Sequence, residues 1–143
     1  MYKNILVPMA LDHGIGKNTL GVARALLSEG GKITALHIYE APQRSAGPYI
    51  DEGVVQAAFD SARAKLEARA KEVPGLEAKI VTGHVGRSII EVAKEMQVDC
   101  IVIGSHKPGL IDFFLGSTAA RVVRFAPCAV HVVRDLNSNP AAV

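Results

Sequence analysis

Glycine and hydroxyl residues stand at two places where this chain could hold a phosphate. Gly104 ends an apolar run, and a glycine at a strand end lets a ligand approach the backbone closely. Gly116, Ser117 and Thr118 stand where an amphipathic helix begins, and the free N–H groups and positive dipole end of a helix start favour phosphate. Together they indicate a site for a nucleotide polyphosphate. The alternative is a plain turn, in which glycine bends the chain and a hydroxyl caps the helix.

The histidines give no sign of an acid–base or nucleophilic centre. His37 and His131 alternate with apolar neighbours inside predicted strands, and His84 falls in a predicted surface turn. His106 follows Gly104 closely and is the histidine assigned to the ligand site, and His13, beside Asp12, is the alternative contact. No acid or nucleophile stands at a spacing typical of a catalytic triad, and Cys and His are not spaced as in a zinc site. We therefore predict no catalytic residue.

Length and composition bound the class of protein. The 143 residues, 49% hydrophobic and 21% charged, predict one α/β domain over residues 1–135 and a frayed tail over 136–143. A net charge of +2, with Lys and Arg dispersed, argues against a nucleic-acid partner. No apolar run approaches the ~20 residues that span a bilayer, and the first residues do not resemble a signal peptide. Cys100 and Cys128 lie in apolar, strand-like contexts, which favours buried free thiols in a reducing cytoplasm.

Short apolar runs alternate with longer amphipathic stretches. Strands are predicted at Asn4–Pro8, Ile33–Tyr39, Glu77–Thr82, Asp99–Gly104 and Ala129–Val133, and helices at Lys17–Ser28, Asp51–Val73, Ser88–Met96 and Gly116–Phe125. This alternation predicts a doubly wound, open five-stranded parallel sheet with helices on both faces. Strands one and four lead into the candidate ligand loops, so we place the switch point between them and predict the order 3-2-1-4-5.

Four segments together identify a family resemblance. They are ILVPM (Ile5–Met9), LHIYE (Leu36–Glu40), VDCIVIGSHKPG (Val98–Gly109) and LGSTAARVVRFAPCAVHVVR (Leu115–Arg134). In this order and spacing the chain resembles the universal stress protein family over about residues 1–134, and its SHKP and LGST stretches resemble the ATP-binding branch. The resemblance implies ATP, with Mg²⁺, at the switch point. It also implies dimers through the last strand and a stress-response or regulatory role with little turnover.

The same resemblance implies a role for individual positions. Those beneath the adenine or ribose are Pro8, Met9 and Ala10, and Ile38 offers backbone groups to the adenine edge. The ribose and phosphates are lined by Gly104, Ser105, His106 and Lys107, and the outer phosphates are held by Gly116, Ser117 and Thr118.

The chain departs from the family's ATP pattern, G-x2-G-x9-G-[ST], at two points. Lys107 replaces the second glycine, Gly109 comes two residues later, and the stretch is one residue shorter. Lys107 either meets phosphate as a point charge or points to solvent. Ala10 stands where the family often has an acid. Asp12, the nearest acid, either takes over a ribose or metal contact or caps the first helix.

The sequence therefore predicts an ATP-binding regulatory switch that hydrolyses ATP slowly or not at all. The segments Ala41–Ile50 and Lys107–Leu115 flank the expected pocket, and ATP should order them for an unidentified protein partner. The chain should form a homodimer or a higher oligomer through Ala129–Val133, an edge run expected to be apolar on both faces. One alternative is a nucleotide-processing enzyme, although neither G-x-x-x-x-G-K-[ST] nor G-x-G-x-x-G occurs. The other is a dimerising interaction module with an empty pocket.

Overall fold

Five strands alternate with four helices in the residues that the computed structural model describes, which are 1–11, 17–40, 51–105 and 115–134. In chain order they are β1 (Tyr2–Pro8), α1 (Lys17–Leu26), β2 (Leu27–Tyr39), α2 (Glu52–Lys71), β3 (Leu76–Thr82), α3 (Val85–Glu95), β4 (Cys100–Gly104), α4 (Ser117–Phe125) and β5 (Ala129–Val133).

The strands form one parallel sheet in the order β3-β2-β1-β4-β5. This confirms the predicted fold class, strand order and switch point. Side chains of successive strand residues point to opposite faces, so each central strand feeds two cores. On one face Leu6, Leu36 and Ile101 pack with α3 and α4. On the other face Ile5 and Val102 pack with α1. Helices therefore cover both faces.

The end of α1 and the start of β2 differ from the prediction. The helix ends at Leu26 rather than Ser28, and the strand begins at Leu27 because that residue pairs with Tyr2. The register then shifts, so that the next pair is Asn4 with Lys32. Gly30 takes φ +75° and accommodates the extra residues. The glycine pair thus lies inside an irregular strand instead of closing the helix.

Polar contacts tie β1 to β4 at the amino end of the sheet. The Asp99 carboxylate accepts hydrogen bonds from the N–H groups of Lys3 (2.9 Å) and Asn4 (3.0 Å), and the Asp99 N–H donates to the Asn4 carbonyl (3.0 Å). The Asn4 side-chain amide also donates to the Met96 carbonyl at 2.7 Å. The two strands are therefore held firmly at this end, opposite the end where the ligand is expected.

The two cysteines are free thiols, as predicted, but their surroundings differ. Cys100 is buried in β4, on the α1 side of the sheet. Cys128 is only half-buried, immediately before β5, and packs toward the α3–α4 side, so its predicted burial in a strand is wrong. The two side chains thus pack against the cores on opposite faces of the sheet.

Burial predicts how each thiol reacts. Burial, and less strongly Cys128 and Asp99, raises the pKa of Cys100 to about 11, and burial and Asp99 also raise the pKa of Cys128. Iodoacetamide at pH 8 should label Cys128 first and leave Cys100 almost untouched, as peptide mass spectrometry would show. The folded state favours the protonated thiol of Cys100 over the thiolate. The contribution of this group to the free energy of unfolding should therefore fall as the pH rises from 9.0 to about 11. Equal rates of labelling at Cys100 and Cys128 would contradict the assignment of Cys100 as the less accessible thiol.

The edges of the sheet differ from each other. The predicted half-exposed character of β3 is confirmed, since it lies at the edge of the sheet and each of its residues is exposed or partly buried. In β5, Val130 and Val132 are half-buried, whereas Ala129 and His131 are exposed. The expectation that β5 is apolar on both faces is therefore wrong at His131. Within the described ranges, no helix is both long and apolar enough to cross a bilayer.

Candidate functional site

The ladder between β1 and β4 ends before the carboxyl ends of the two strands, and this unpaired stretch is called the gap below. Their ladder contains two pairs, Ile5 with Cys100 and Leu6 with Ile101, and stops there. On either side the ladders continue, pairing β1 with β2 up to Pro8 and β4 with β5 up to Gly104. The last residues of β1 and β4 therefore form no ladder pairs with each other at the switch point, where ligands bind in sheets of this kind.

The chain leaving β1 is fixed against β2. The Met9 N–H donates to the Leu36 carbonyl at 2.9 Å, and the Met9 carbonyl lies 3.0 Å from His37 Nδ1, which donates to it. His37 is therefore a structural residue, as predicted, and it holds the backbone beside the gap. Pro8 and Met9 are half-buried there, and Ala10 is exposed.

The end of β2 reaches beyond β1. The β1–β2 ladder ends at Leu36, whereas β2 goes on pairing with β3 through Ile38 and Tyr39. Ile38 is buried, and its segment has no ladder partner on the β1 side. This is the geometry that a backbone contact from Ile38 to a ligand requires.

The end of β4 turns toward β5 and α1. The Ser105 N–H donates to the Val133 carbonyl at 3.1 Å, so the residue after the strand is held in place. Its hydroxyl donates to the same oxygen at 3.5 Å. A β-carbon on Gly104 would lie 3.7 Å from Thr19 Oγ1, which places the Thr19 hydroxyl at the rim of the gap. Thr19 did not emerge from the sequence analysis.

The first turn of α4 lacks the caps that two other helices have. Asp51 accepts from the Gly53 N–H at the start of α2, and His84 Nδ1 accepts from the Arg87 N–H at the start of α3. The residue before α4 is Gly116, which has no side chain to do the same. Within the described residues, the N–H groups of Ser117, Thr118 and Ala119 find no acceptor.

Nothing in the described structure requires glycine at 104 or 116. Neither residue has a positive φ, and a β-carbon at either would meet no described atom closer than 3.7 Å. At Gly86, by contrast, packing explains the glycine, since a β-carbon there would lie 2.7 Å from Arg121 Cδ. Both Gly104 and Gly116 instead leave room beside the open switch point.

A cleft of about 580 Å³ lies between the starts of α3 and α4. One wall holds Glu40, whose carboxylate accepts from the Val85 N–H at 3.2 Å. This contact and His84 explain why α3 begins at Val85 and not at Ser88 as predicted. His84 is exposed as a helix cap, not as part of a separate turn. The start of α3 therefore already has two acceptors.

The opposite wall of the cleft is basic. Ser117, Arg121 and Arg124 follow one another at helical spacing along α4 and line it. The Arg121 and Arg124 guanidinium carbons lie 5.8 and 5.4 Å from the centroid of the Phe125 ring. Neither arginine forms an ion pair within the described part of the chain. Two cations thus face a cleft that also contains the uncapped start of α4.

The predicted site residues that the structure describes lie at or follow the carboxyl ends of the parallel strands: Pro8, Met9, Ala10, Ile38, Gly104, Ser105, Gly116, Ser117 and Thr118. Asp12, His106, Lys107 and Gly109 lie outside the described residues, as do the segments 41–50 and 106–114. Among the described side chains, no group of three or more His, Cys, Asp or Glu residues could hold a metal. Sequence reasoning missed Glu40 and Arg121, although the spacing of Arg121 from Ser117 was a usable signal.

The strand order, the helices on both faces and the gap at the switch point define a doubly wound parallel α/β protein. The model of the universal stress protein family matches residues 1–134, and the chain belongs to that family. A universal stress protein of Thermus aquaticus is 31% identical over 139 residues, which cover 94% of this chain and all of that protein. The structure of UspA from Lactobacillus plantarum is 25% identical with a TM-score of 0.69, covering 93% of this chain and 98% of the other.

Two more distant structures of the same fold contain nucleotides. A family protein from Arabidopsis thaliana, solved with AMP bound, is 18% identical with a TM-score of 0.59, covering 96% of this chain and 95% of the other. A universal stress protein in complex with cAMP is 21% identical with a TM-score of 0.55, covering 93% and 97%. At this identity both show the shared fold, and the nucleotides belong to those proteins.

Proposed function

We propose that this protein binds ATP at the switch point and acts as a regulatory or stress-response switch. The observation that carries the proposal is the start of α4, where three backbone N–H groups lack an acceptor within the described residues. The preceding residue is Gly116, and no described contact or backbone angle requires glycine there. A phosphate supplies the missing acceptors and is favoured by the helix dipole. Membership of the family and the AMP and cAMP complexes of its members support a nucleotide as the source of that phosphate.

The adenosine half belongs on the β1–β2 side of the gap. Pro8 and Met9 offer an apolar surface there, and the end of β2 offers backbone groups at Ile38. The phosphates then run past Gly104 toward Ser117 and Thr118. Asp12, His106, Lys107 and Gly109 remain proposed contacts on the same path. Mg²⁺ would be held chiefly by phosphate oxygens and water, as this ion usually is in nucleotide sites.

A switch is favoured over an enzyme because the described site has few side chains that could act in phosphoryl transfer. Phosphoryl transfer needs a positioned water or hydroxyl, a metal and cations on the transferred phosphate. Glu40, the carboxylate that lines the cleft, already accepts a hydrogen bond from Val85. We expect hydrolysis far slower than the ~1–100 s⁻¹ of kinases. The output would be an ordering of the segments 41–50 and 107–115, read by a protein partner in the reducing cytoplasm that the free thiols favour.

We propose that two copies pair through Ala129–Val133 to form a homodimer, and a higher oligomer built on the same contact is the alternative. β5 ends the sheet, and no described strand pairs with its outer side. Val130 and Val132 beside that edge pack against the α3–α4 core and are only half-buried, so part of their apolar surface stays exposed. An uncovered edge of this kind favours pairing with a second copy.

Calorimetric titration with ATP and with AMP tests the proposal. ATP should bind more tightly, by at least about tenfold, because its additional phosphates gain charge-assisted contacts that AMP lacks. Equal affinity for the two nucleotides would contradict the placement of the outer phosphates. Absence of binding by either would favour the interaction module with an empty pocket, and turnover at several per second would favour the enzyme.

A further inference from the structure

Two arginines of α4, Arg121 and Arg124, line the cleft beside the uncapped helix start. We infer that Arg121 contacts the terminal phosphates of the nucleotide and is the residue that makes the site prefer a triphosphate over a monophosphate. The inference rests on the proposed function, and it concerns the cleft between α3 and α4 rather than the adenosine end of the site.

The position of Arg121 on α4 supports this role. It follows Ser117 by four residues, so both side chains lie on one face of the helix, about 6 Å apart along its axis. Both line the cleft. The guanidinium lies beside the Phe125 ring, and because side chains in a helix lean toward its N-terminus, a change of rotamer would bring it back toward the uncapped first turn. A chain of phosphates that starts at the N–H groups of that turn therefore extends toward Arg121.

Arg121 is exposed and makes two contacts, one through its stem and one through its guanidinium. A β-carbon on Gly86 would come within 2.7 Å of Arg121 Cδ, so its aliphatic stem packs closely against the start of α3. Its guanidinium lies 5.8 Å from the centroid of the Phe125 ring. No ion pair within the described part of the chain competes for the guanidinium. Arg121 is exposed, so its guanidinium can leave the Phe125 ring and meet phosphate without breaking an ion pair within the described residues.

The wall opposite α4, which holds Glu40 and the start of α3, limits the path that we assign to the phosphates. Glu40 occupies the start of α3 through its bond to the Val85 N–H. Its negative charge opposes phosphate on that side, so the polyphosphate should follow the α4 wall. Arg124 lies on this wall as well, three residues beyond Arg121 and further from the first turn. Its contribution should therefore be smaller.

The test compares ATP and AMP binding to the full-length protein and its variants by calorimetry. Arg121→Gln should weaken ATP binding by about tenfold or more, the effect of losing one charge-assisted contact, and leave AMP affinity within about twofold. Arg121→Lys should restore part of the loss, and Arg124→Gln should have a smaller effect. Arg63→Gln is the matched control, because Arg63 also stacks on an aromatic ring, 5.0 Å from Phe59, on α2 and outside the cleft.

The outcomes separate this inference from the proposed function. If the unmodified protein binds neither nucleotide, both are wrong. If it binds ATP and Arg121→Gln binds ATP equally well, the nucleotide site stands and the role of Arg121 is wrong. An equal loss of ATP and AMP affinity would also overturn the inference, because it would place Arg121 at the first phosphate or in the structure of the site. Thermal melting of each variant confirms that it is folded, and Arg121→Lys decides the question if Arg121→Gln is not.

Discussion

Replacing Gly116 with valine should abolish ATP binding and leave the protein folded. The residue has φ −53°, which valine can adopt, and an added β-carbon would lie 3.7 Å from the Ser105 carbonyl oxygen, an ordinary contact. The branched side chain would instead project into the space that we assign to phosphate, beside the N–H groups of Ser117 and Thr118. Calorimetry should detect no ATP binding, and the thermal midpoint should stay within a few degrees of the original.

Gly21→Val is the matched control for that substitution. Gly21 lies in α1, and a β-carbon there meets no atom within 4 Å. Valine is a better helix former than glycine, so this variant should fold and bind ATP normally. Ser117→Ala should be milder than Gly116→Val, at about 0.5–2 kcal/mol, because it removes one neutral hydrogen bond. Normal ATP affinity in Gly116→Val would show that the phosphates lie elsewhere.

Val132→Pro should convert a dimer to a monomer. The Val133 carbonyl accepts from the Ser105 N–H, so the polar backbone groups of Val133 face β4. Successive residues of a strand direct these groups to opposite edges, and the Val132 N–H therefore points to the outer edge. Proline removes that donor without removing a bond to β4, which is the placement in which sheets tolerate proline. Light scattering across a range of concentrations measures the change in mass.

Val132→Ala provides the comparison, because it retains the N–H while reducing the apolar side chain. If backbone pairing through β5 joins the two copies, this variant should remain at least partly dimeric where Val132→Pro is monomeric. A concentration-independent monomer for the unmodified protein would refute the edge-to-edge dimer. A dimer that survives in Val132→Pro would move the interface to another surface.

Much of the fold follows from the sequence because local and global signals agree. The apolar run from Cys100 to Ile103 is buried on both faces, as expected of a central strand, and the alternating run in β3 is an edge strand. The boundaries that were missed depend on distant partners. α3 starts three residues early because Glu40, 45 residues away, caps it. β2 starts early because Leu27 pairs with Tyr2.

The candidate site could be predicted in part for the same reason. Glycine at 104 and the Gly-Ser-Thr step at 116–118 are local patterns, so their placement at a strand end and a helix start was accessible. The cleft was not, because it arises where two helices approach each other at Gly86 and Arg121. The spacing of Ser117 and Arg121 puts them on one face of α4, but that this face lines a cleft depends on the relative orientation of α3 and α4, which no local pattern contains. The gap between β1 and β4 likewise depends on where their ladder stops.

The central claim is that the first turn of α4 binds nucleotide phosphate, and amide NMR tests it most directly. In ¹H–¹⁵N spectra recorded during a titration with ATP, the account predicts the largest shifts for the amides of Ser117, Thr118 and Ala119. Smaller shifts should appear near Gly104, and the amides of α2, such as that of Arg63, should not move. Saturable binding of ATP that leaves the amides of Ser117, Thr118 and Ala119 unshifted would contradict the account.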